Sequence, residues 1–237
     1  MSPVNKTPQS QENRLLAVLP TEDYKRLLPD LVPVSLSLGE IIYESQRRMK
    51  YVYFPSSSHI SLLYTMKDGS TAEVGLVGNE GLVGIALFMG GDTTPNRAIV
   101  QGAGQAFKMK ASVMQEEFKR GGALQVGLLR YTQALITQIS QTAVCNRLHT
   151  TEQRLCRWIL MTHDRTQTDE LEMTHEFIAN MLGIQREAVS LVAHRLREMG
   201  AIDYKRGRLH ITDRAILEEC SCECYQVVRI EHQRLAI

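Results

Sequence analysis

The hydrophobic period of this 237-residue chain changes at Gly121-Gly122, and that change constrains the fold more than any other feature. From about Val34 to Lys110 the apolar residues fall in short runs: EIIYES, YVYFP, ISLLYTM, TAEVGLV and AIVQG. Such runs, rich in β-branched and aromatic residues, suit a pleated, half-buried surface. Asp68-Gly69 separates two of them, and a glycine that accepts positive φ suits a tight hairpin turn. Many short strands at close spacing predict an antiparallel jelly-roll β-barrel. Ahead of them, ENRLLAVLPTEDYKRLLPDL carries leucines at helical spacing and predicts short helices packed on the barrel.

Beyond the glycine pair, Leu124, Leu128, Tyr131, Leu135 and Ile139 recur at steps of three and four. Leu129, Ile136 and Ala143 form a second stripe, seven apart. Together they predict one helix of about seven turns with a wide apolar face. A helix that long overhangs a domain of this size. It is therefore expected to form a coiled-coil-like dimer seam as well as to pack on the barrel, with Leu128, Tyr131, Leu135 and Ile139 at the interface.

From His149 the chain stays helical through TTEQRLCRWILMTHDR, with Leu155, Ile159 and Leu160 as its apolar face. TQTDELEM reads as a polar connection. HEFIANML and QREAVSLVAHRLREM read as two short helices, AIDYKRGRLHITD as an alternating hairpin turning at Arg206-Gly207, and a last helix starts near Asp213. The fold class is thus α+β. The expected order is a mobile tail over 1–13, a sensor β-barrel with flanking helices over 14–121, a dimerisation helix and hinge over 122–148, and a winged helix-turn-helix over 149–237.

A helix-turn-helix needs a small residue where its helices touch, a glycine at the turn, and apolar residues on the inner face of the second helix. Ala179, Gly183, Ile184, Val189, Val192 and Leu196 fit those slots. The outward face then carries Gln185, Arg186, Glu187, Ser190, Leu191 and His194. Arginine can bond guanine O6 and N7 in a fork, and glutamate can accept from cytosine N4. The net charge of +1 does not oppose this reading, because position matters more than the total. Between Ile184 and His210 six basic residues face three acidic ones. Arg206 and Arg208 of the hairpin, with Thr174 and His175 at the start of the first helix, are the phosphate candidates.

TTEQRLCRWILMTHDR, GIQREAVSLVAHRLREMGAI and KRGRLHITD, in that order and spacing, resemble the Crp/Fnr family of bacterial transcription regulators. The likeness covers nearly the whole chain. It implies a cyclic-nucleotide-binding-like barrel, a long dimerisation helix and a C-terminal winged helix whose second helix enters the major groove of a palindromic site. Carried over, Arg186, Glu187 and Ser190 would read bases, while Leu191 stands where many members have Arg. Members that bind cyclic AMP use a Gly-Glu-Leu run and an Arg-Ser pair. Here Ile85 replaces the ribose-binding Glu and Asn96-Arg97 replaces the pair. A cyclic nucleotide is therefore not the expected effector, although Arg97 stays a candidate for an anionic one. Iron–sulfur members carry N-terminal cysteines, and none precedes Cys145. Haem members need an axial His or Cys in the barrel, where His59 is the lone His and reads as surface.

CSCEC places Cys220, Cys222 and Cys224 at alternating positions, which could offer thiolates to a metal or a redox disulfide. Residues two apart on a helix point to different faces, so small packed residues are the preferred reading; a fourth ligand would have to come from elsewhere, for example Cys156 or His232. A cupin-type metalloenzyme needs several inward His ligands and is excluded by the single barrel His. No nucleophile constellation or phosphate-cradling loop stands out, so no enzyme activity and no resident cofactor or metal are expected. An odd set of five cysteines does not look like a secreted disulfide framework. No apolar run approaches the roughly 20 residues that span a bilayer, and the opening MSPVNKTPQSQENR lacks a signal-type apolar block. The expectation is a cytoplasmic, homodimeric regulator of transcription. Its expected partners are double-stranded DNA, a second copy of the chain and RNA polymerase, and it has no membrane association. The alternative is a ligand-binding or redox- or metal-responsive protein built on the barrel and the Cys220/Cys222/Cys224 cluster.

Overall fold

The computed structural model describes residues 12–166 and 168–235. The apolar runs become strands: β1 (Val32–Leu36), β2 (Ile41–Tyr43), β3 (Tyr51–Pro55), β4 (His59–Thr65), β5 (Thr71–Val77), β6 (Arg97–Gly102) and β7 (Gly104–Lys110). They form two antiparallel sheets, ordered β1-β7-β3 and β2-β6-β4-β5. Phe54, Ile60, Val77, Val100 and Met109 are buried in the core of this domain. Among the described residues, the one pairing outside named strands is a Tyr53–Val83 bridge. The result is an open two-sheet jelly roll, not a closed barrel. The β4–β5 hairpin turns at Asp68-Gly69 as expected: Gly69 has φ +86°, and Asp68 Oδ1 accepts from the Ser70 N–H at 3.0 Å.

Two short helices, α1 (Arg14–Ala17) and α2 (Thr21–Leu27), precede the strands. Asn13 is fully buried: it caps α1, and its amide donates to the carbonyls of Pro55 and Gly81, each at 2.8 Å. The expected tail therefore stops short of Asn13, and residues 1–11 lie outside the described residues.

Two helices follow the strands, α3 (Ala111–Arg120) and α4 (Ala123–Leu148). The 26 residues of α4 span about 39 Å. The face of α4 expected at a dimer seam is turned the other way. Leu128, Tyr131 and Leu135 are buried in the jelly-roll core, and Ile139 is half-buried against it. The cause is that the sheet domain is the nearest apolar surface, and Gln138 fixes the rotation by bonding both the N–H and the C=O of Leu76. The opposite stripe is left to solvent: Val126, Leu129, Ile136 and Val144 are 44–54% exposed.

The remainder contains α5 (Thr151–His163), β8 (Glu170–Glu172), α6 (His175–Leu182), α7 (Arg186–Glu198), β9 (Ile202–Lys205), β10 (Arg208–Ile211), α8 (Arg214–Cys220) and α9 (Cys224–Arg234). Thr150 and Gln153 start α5 with a reciprocal capping box. Two expectations are corrected here. The polar connection contains β8, because Leu171 turns inward and pairs with Leu209 of β10 in the β8-β10-β9 sheet. The last helix is two helices, broken at Ser221. These elements dock on the jelly roll. Leu63 and Leu76 join the apolar cluster of Leu155, Ile159, Leu160 and Ile178. Among the described residues no helix is long and apolar enough to cross a membrane.

Candidate nucleic-acid interface

The α6–turn–α7 unit is fixed from both ends. Thr174 is the N-cap of α6, its hydroxyl accepting from the Phe177 N–H at 3.1 Å. Gly183 ends the helix in the left-handed region, with φ +62° and ψ +44°, a conformation that L side chains adopt only at a cost. Ala179, Val189, Ala193 and Leu196 bury the contact between the helices, and Ile184 and Val192 pack at its edge. The slots inferred from spacing are therefore filled as expected.

Gln185 is the N-cap of α7 in extended conformation, and its side chain makes no cap bond. Arg186 and Glu187 are exposed in the first turn, and neither has an ion-pair partner among the described residues. One turn on, Leu191 is 72% exposed. Further along, Arg195 pairs with Glu152 at 3.2 Å, Arg197 with Asp203 at 3.3 Å and His194 with Glu198 at 3.4 Å. The free positive charge is thus concentrated at the N-terminal end of α7. There the helix dipole adds to it.

Ser190 is engaged internally. Its hydroxyl donates to the Arg186 carbonyl at 3.1 Å and lies 2.9 Å from His175 Nδ1. With the single hydroxyl proton used, His175 Nδ1 carries the shared proton. The His175 ring also rests on Tyr204, centroids 4.2 Å apart, and Tyr204 donates to the Met173 carbonyl. Burial, then Arg186, pushes the His175 pKa down. Thr174, His175, Ser190 and Tyr204 therefore make a brace that sets α7 against the β-hairpin. Spacing alone gave Thr174, His175 and Ser190 to phosphate or base; the brace was legible only once Tyr204 was placed.

The hairpin turns at Arg206-Gly207, both with positive φ (+52° and +80°), the geometry of a tight two-residue turn. Lys205 and Arg206 are exposed and free of ion pairs among the described residues. Arg208 lies opposite Glu172 and meets it at 3.4 Å, so its charge is partly compensated.

The N-terminal half holds a cavity of about 260 Å³ between the jelly roll and α4. Leu62, Leu82, Ile85, Met89, Leu135 and Ile139 line it, with Tyr43 donating to Asn96 Oδ1 at 2.9 Å as its polar feature. Among the described residues no charged side chain is in that lining, and Arg97, half-buried one residue on, is not part of it. His59 is 4% exposed and not surface: it packs on Gly102, and burial pushes its pKa down to about 4. Of the late cysteines, Cys222 and Cys224 converge with Cys145 and His149, while Cys220 lies beside Cys156 instead. Cys222 falls in the non-helical break, so the objection from helical faces does not apply to it. Neither Cys156 nor His232 joins this group.

Two family descriptions match the sequence: a cyclic nucleotide-binding domain over residues 33–120 and a Crp-like helix-turn-helix domain over residues 153–220. Solved structures of similar fold include a putative Crp/Fnr-family transcriptional regulator from Eubacterium rectale (TM-score 0.70, 16% identity, covering 89% of this chain and 98% of that one). FixK2 from Bradyrhizobium japonicum is similar too (TM-score 0.69, 16% identity, 81% and 98% covered). So is a CRP-family transcriptional regulator from Thermus thermophilus (TM-score 0.66, 19% identity, 78% and 95% covered). No curated protein matches the chain in sequence.

Proposed function

From its membership of the Crp/Fnr family of DNA-binding transcription regulators, we propose that this chain binds an inverted repeat as a homodimer and reads each half-site with the first turn of α7. Exposed, unpaired Arg186 and Glu187 at the head of a braced helix carry that reading. Gln185 adds a third free side chain, while Ser190 serves as the brace and contacts a base only by leaving it. Lys205 and Arg206 at the hairpin tip, with a weaker contribution from Arg208, hold phosphates.

The exposed stripe of α4, Val126, Leu129 and Ile136, forms the seam between protomers. Residues 14–121 act as the sensor and 149–237 as the reader, with the cavity against α4 as the effector site. Its lining supports an uncharged, largely apolar ligand: a cyclic phosphate placed there would meet no cation. Contact with RNA polymerase and a cytoplasmic location follow from the same reading, and nothing in the fold points to catalysis.

The test uses DNA selected from a random pool by the full-length protein. Arg186→Ala should lose discrimination between selected and random DNA by about 1–3 kcal/mol. Lys205→Ala or Arg206→Ala should weaken binding to both alike and lower the salt slope by about one. The reverse pattern sinks the assignment.

A further inference from the structure

The last turn of α4 and the break before α9 bring four soft donors together from opposite ends of the sequence. Cys145 and His149 lie four residues apart on one face where α4 ends, with the His149 N–H donating to the Cys145 carbonyl. Cys222 lies in the break and Cys224 opens α9. Cys145 Sγ is 3.5 Å from Cys222 Sγ, and Cys224 Sγ is 3.6 Å from His149 Nδ1. All four ligand atoms lie within 4.8 Å of one another. A tetrahedral zinc ion with Zn–S bonds of about 2.3 Å spaces its ligand atoms about 3.8 Å apart.

We propose that Cys145, His149, Cys222 and Cys224 form a Cys₃His site for one thiophilic divalent cation, zinc by donor type, which clamps the end of the long helix to the C-terminal helix of the DNA-binding domain.

Two further observations point to an ion. The outer nitrogen of the imidazole, His149 Nε2, lies 3.3 Å from Glu223 Oε2, the carboxylate–histidine pair that orients a ligating ring and raises its basicity. Beside the cluster lies Arg157, 6% exposed, with an Nε that has no hydrogen-bond partner and no carboxylate partner among the described residues. Its bonds go to neutral atoms, Thr142 Oγ1 and Met161 Sδ. A buried cation without a counter-charge is costly. Three thiolates and a neutral imidazole around a divalent ion carry a net charge of −1 and supply that counter-charge. Binding takes all three cysteines as thiolates, with any thiol protons released to solvent, and changes no oxidation state. The compact spacing suits a single ion, and the mixed sulfur and nitrogen donors favour zinc over calcium or magnesium.

The experiment is metal analysis of the full-length protein purified without chelator, followed by cobalt substitution. The expected result is one zinc per chain, and a cobalt form with tetrahedral d–d bands and thiolate-to-cobalt charge transfer. Cys222→Ser and His149→Gln should each weaken zinc binding at least tenfold, while Cys220→Ser and Cys156→Ser should leave it unchanged. The cobalt spectrum of the unaltered protein reads the donor set even where a variant fails to fold. Absence of zinc together with absence of cobalt bands overturns the proposal. So does a Cys145–Cys222 disulfide in its place, or equal loss in Cys220→Ser. None of these readouts involves DNA, so failure here is distinct from failure of the DNA-reading assignment.

Discussion

Arg165→Met should destabilise the protein in a way that depends on pH, because of what it strands. Glu80 is 6% exposed, and its carboxylate is held by Arg165 through Nε at 2.8 Å and Nη2 at 2.6 Å. Burial alone would push this carboxyl up; Arg165 overrides that, with smaller help from His232 and the N–H groups of Glu80 and Gly78, and holds it below its usual value. Removing one partner of a buried pair costs about 3–5 kcal/mol. The stranded carboxylate can escape by taking a proton, however, which caps its share of the penalty. That cap is about 1.36 kcal/mol for each pH unit above the ordinary glutamate value of about 4.3. It is therefore about 3.7 kcal/mol at pH 7 and about 1 kcal/mol at pH 5. Urea unfolding can be followed by the single tryptophan, Trp158, which is buried at the same seam. Arg165→Met should lose about 3 kcal/mol or more at pH 7 and up to about 2.7 kcal/mol less than that at pH 5. Pairing it with Glu80→Gln should recover most of the loss at pH 7. A loss under 1 kcal/mol at pH 7, or one equal at both pH values, refutes the reasoning.

Glu73 should already give the unaltered protein a fall in stability with rising pH of the kind that Arg165→Met creates at Glu80. Burial pushes its pKa up to about 7, against the lowering effect of its bonds to Ser61 and Trp158. The folded state therefore holds a proton that the unfolded state releases near pH 4.5, so stability from this group is full below that value, falls as pH rises to about 7, and stays low beyond. The span is about 3 kcal/mol, and Glu73→Gln should flatten it in urea midpoints measured from pH 4.5 to 8; an unchanged slope counts against it. Gly183→Ala places a side chain at φ +62° with its Cβ 3.4 Å from Ala72, and should cost about 1–2 kcal/mol in thermal unfolding. A neutral result would mean that the turn is not held left-handed. Leu129→Asp with Ile136→Asp should yield folded monomers by analytical ultracentrifugation, whereas Leu128→Asp should fail to fold; a dimer that survives the first pair rules out that seam.

Much of this organisation was legible because period reports burial. The strand runs, the change at Gly121-Gly122 and the Ala179–Gly183–Val189 spacing each reflect a local constraint that a sequence must satisfy in its own residues. The orientation of α4 was not legible in the same way. Both stripes are apolar, and the choice between Leu128/Leu135 and Leu129/Ile136 depends on which one the sheet domain covers, settled by Gln138 reaching the main chain of Leu76. The cysteine cluster was hidden for a related reason. Cys145 and Cys222 are 77 positions apart, and only the break at Ser221 lets Cys222 turn toward the end of α4. His175 and Ser190 have the right chemistry for DNA, yet the folded chain spends it on the 2.9 Å bond between them.

The seam between sensor and reader is built differently from the core beneath α4, and that difference bears on switching. Besides the apolar contact of Leu63 and Leu76 with Leu155 and Ile159, it carries polar contacts: Trp158 to Glu73 at 3.0 Å, Arg165 to Glu80, and Thr71 to the Asn180 carbonyl at 3.3 Å. Each of those groups can be satisfied by water when the domains part, so separation costs far less than their gross strength. Leu128, Tyr131 and Leu135 have no such substitute, and each loses about 1.5–3 kcal/mol of burial if α4 leaves the sheets. Undocking also exposes Leu63 and Leu76, so the seam resists parting by apolar burial as well as by these bonds. On the proposal that the cavity walled by Leu135 and Ile139 is the effector site, a ligand in it would act only through a difference in affinity between docked and undocked states. Turning a 1:99 population into 99:1 takes about 5.5 kcal/mol of such difference. On that proposal the ligand would supply it chiefly by filling apolar volume, since among the described residues no charged side chain lines the cavity.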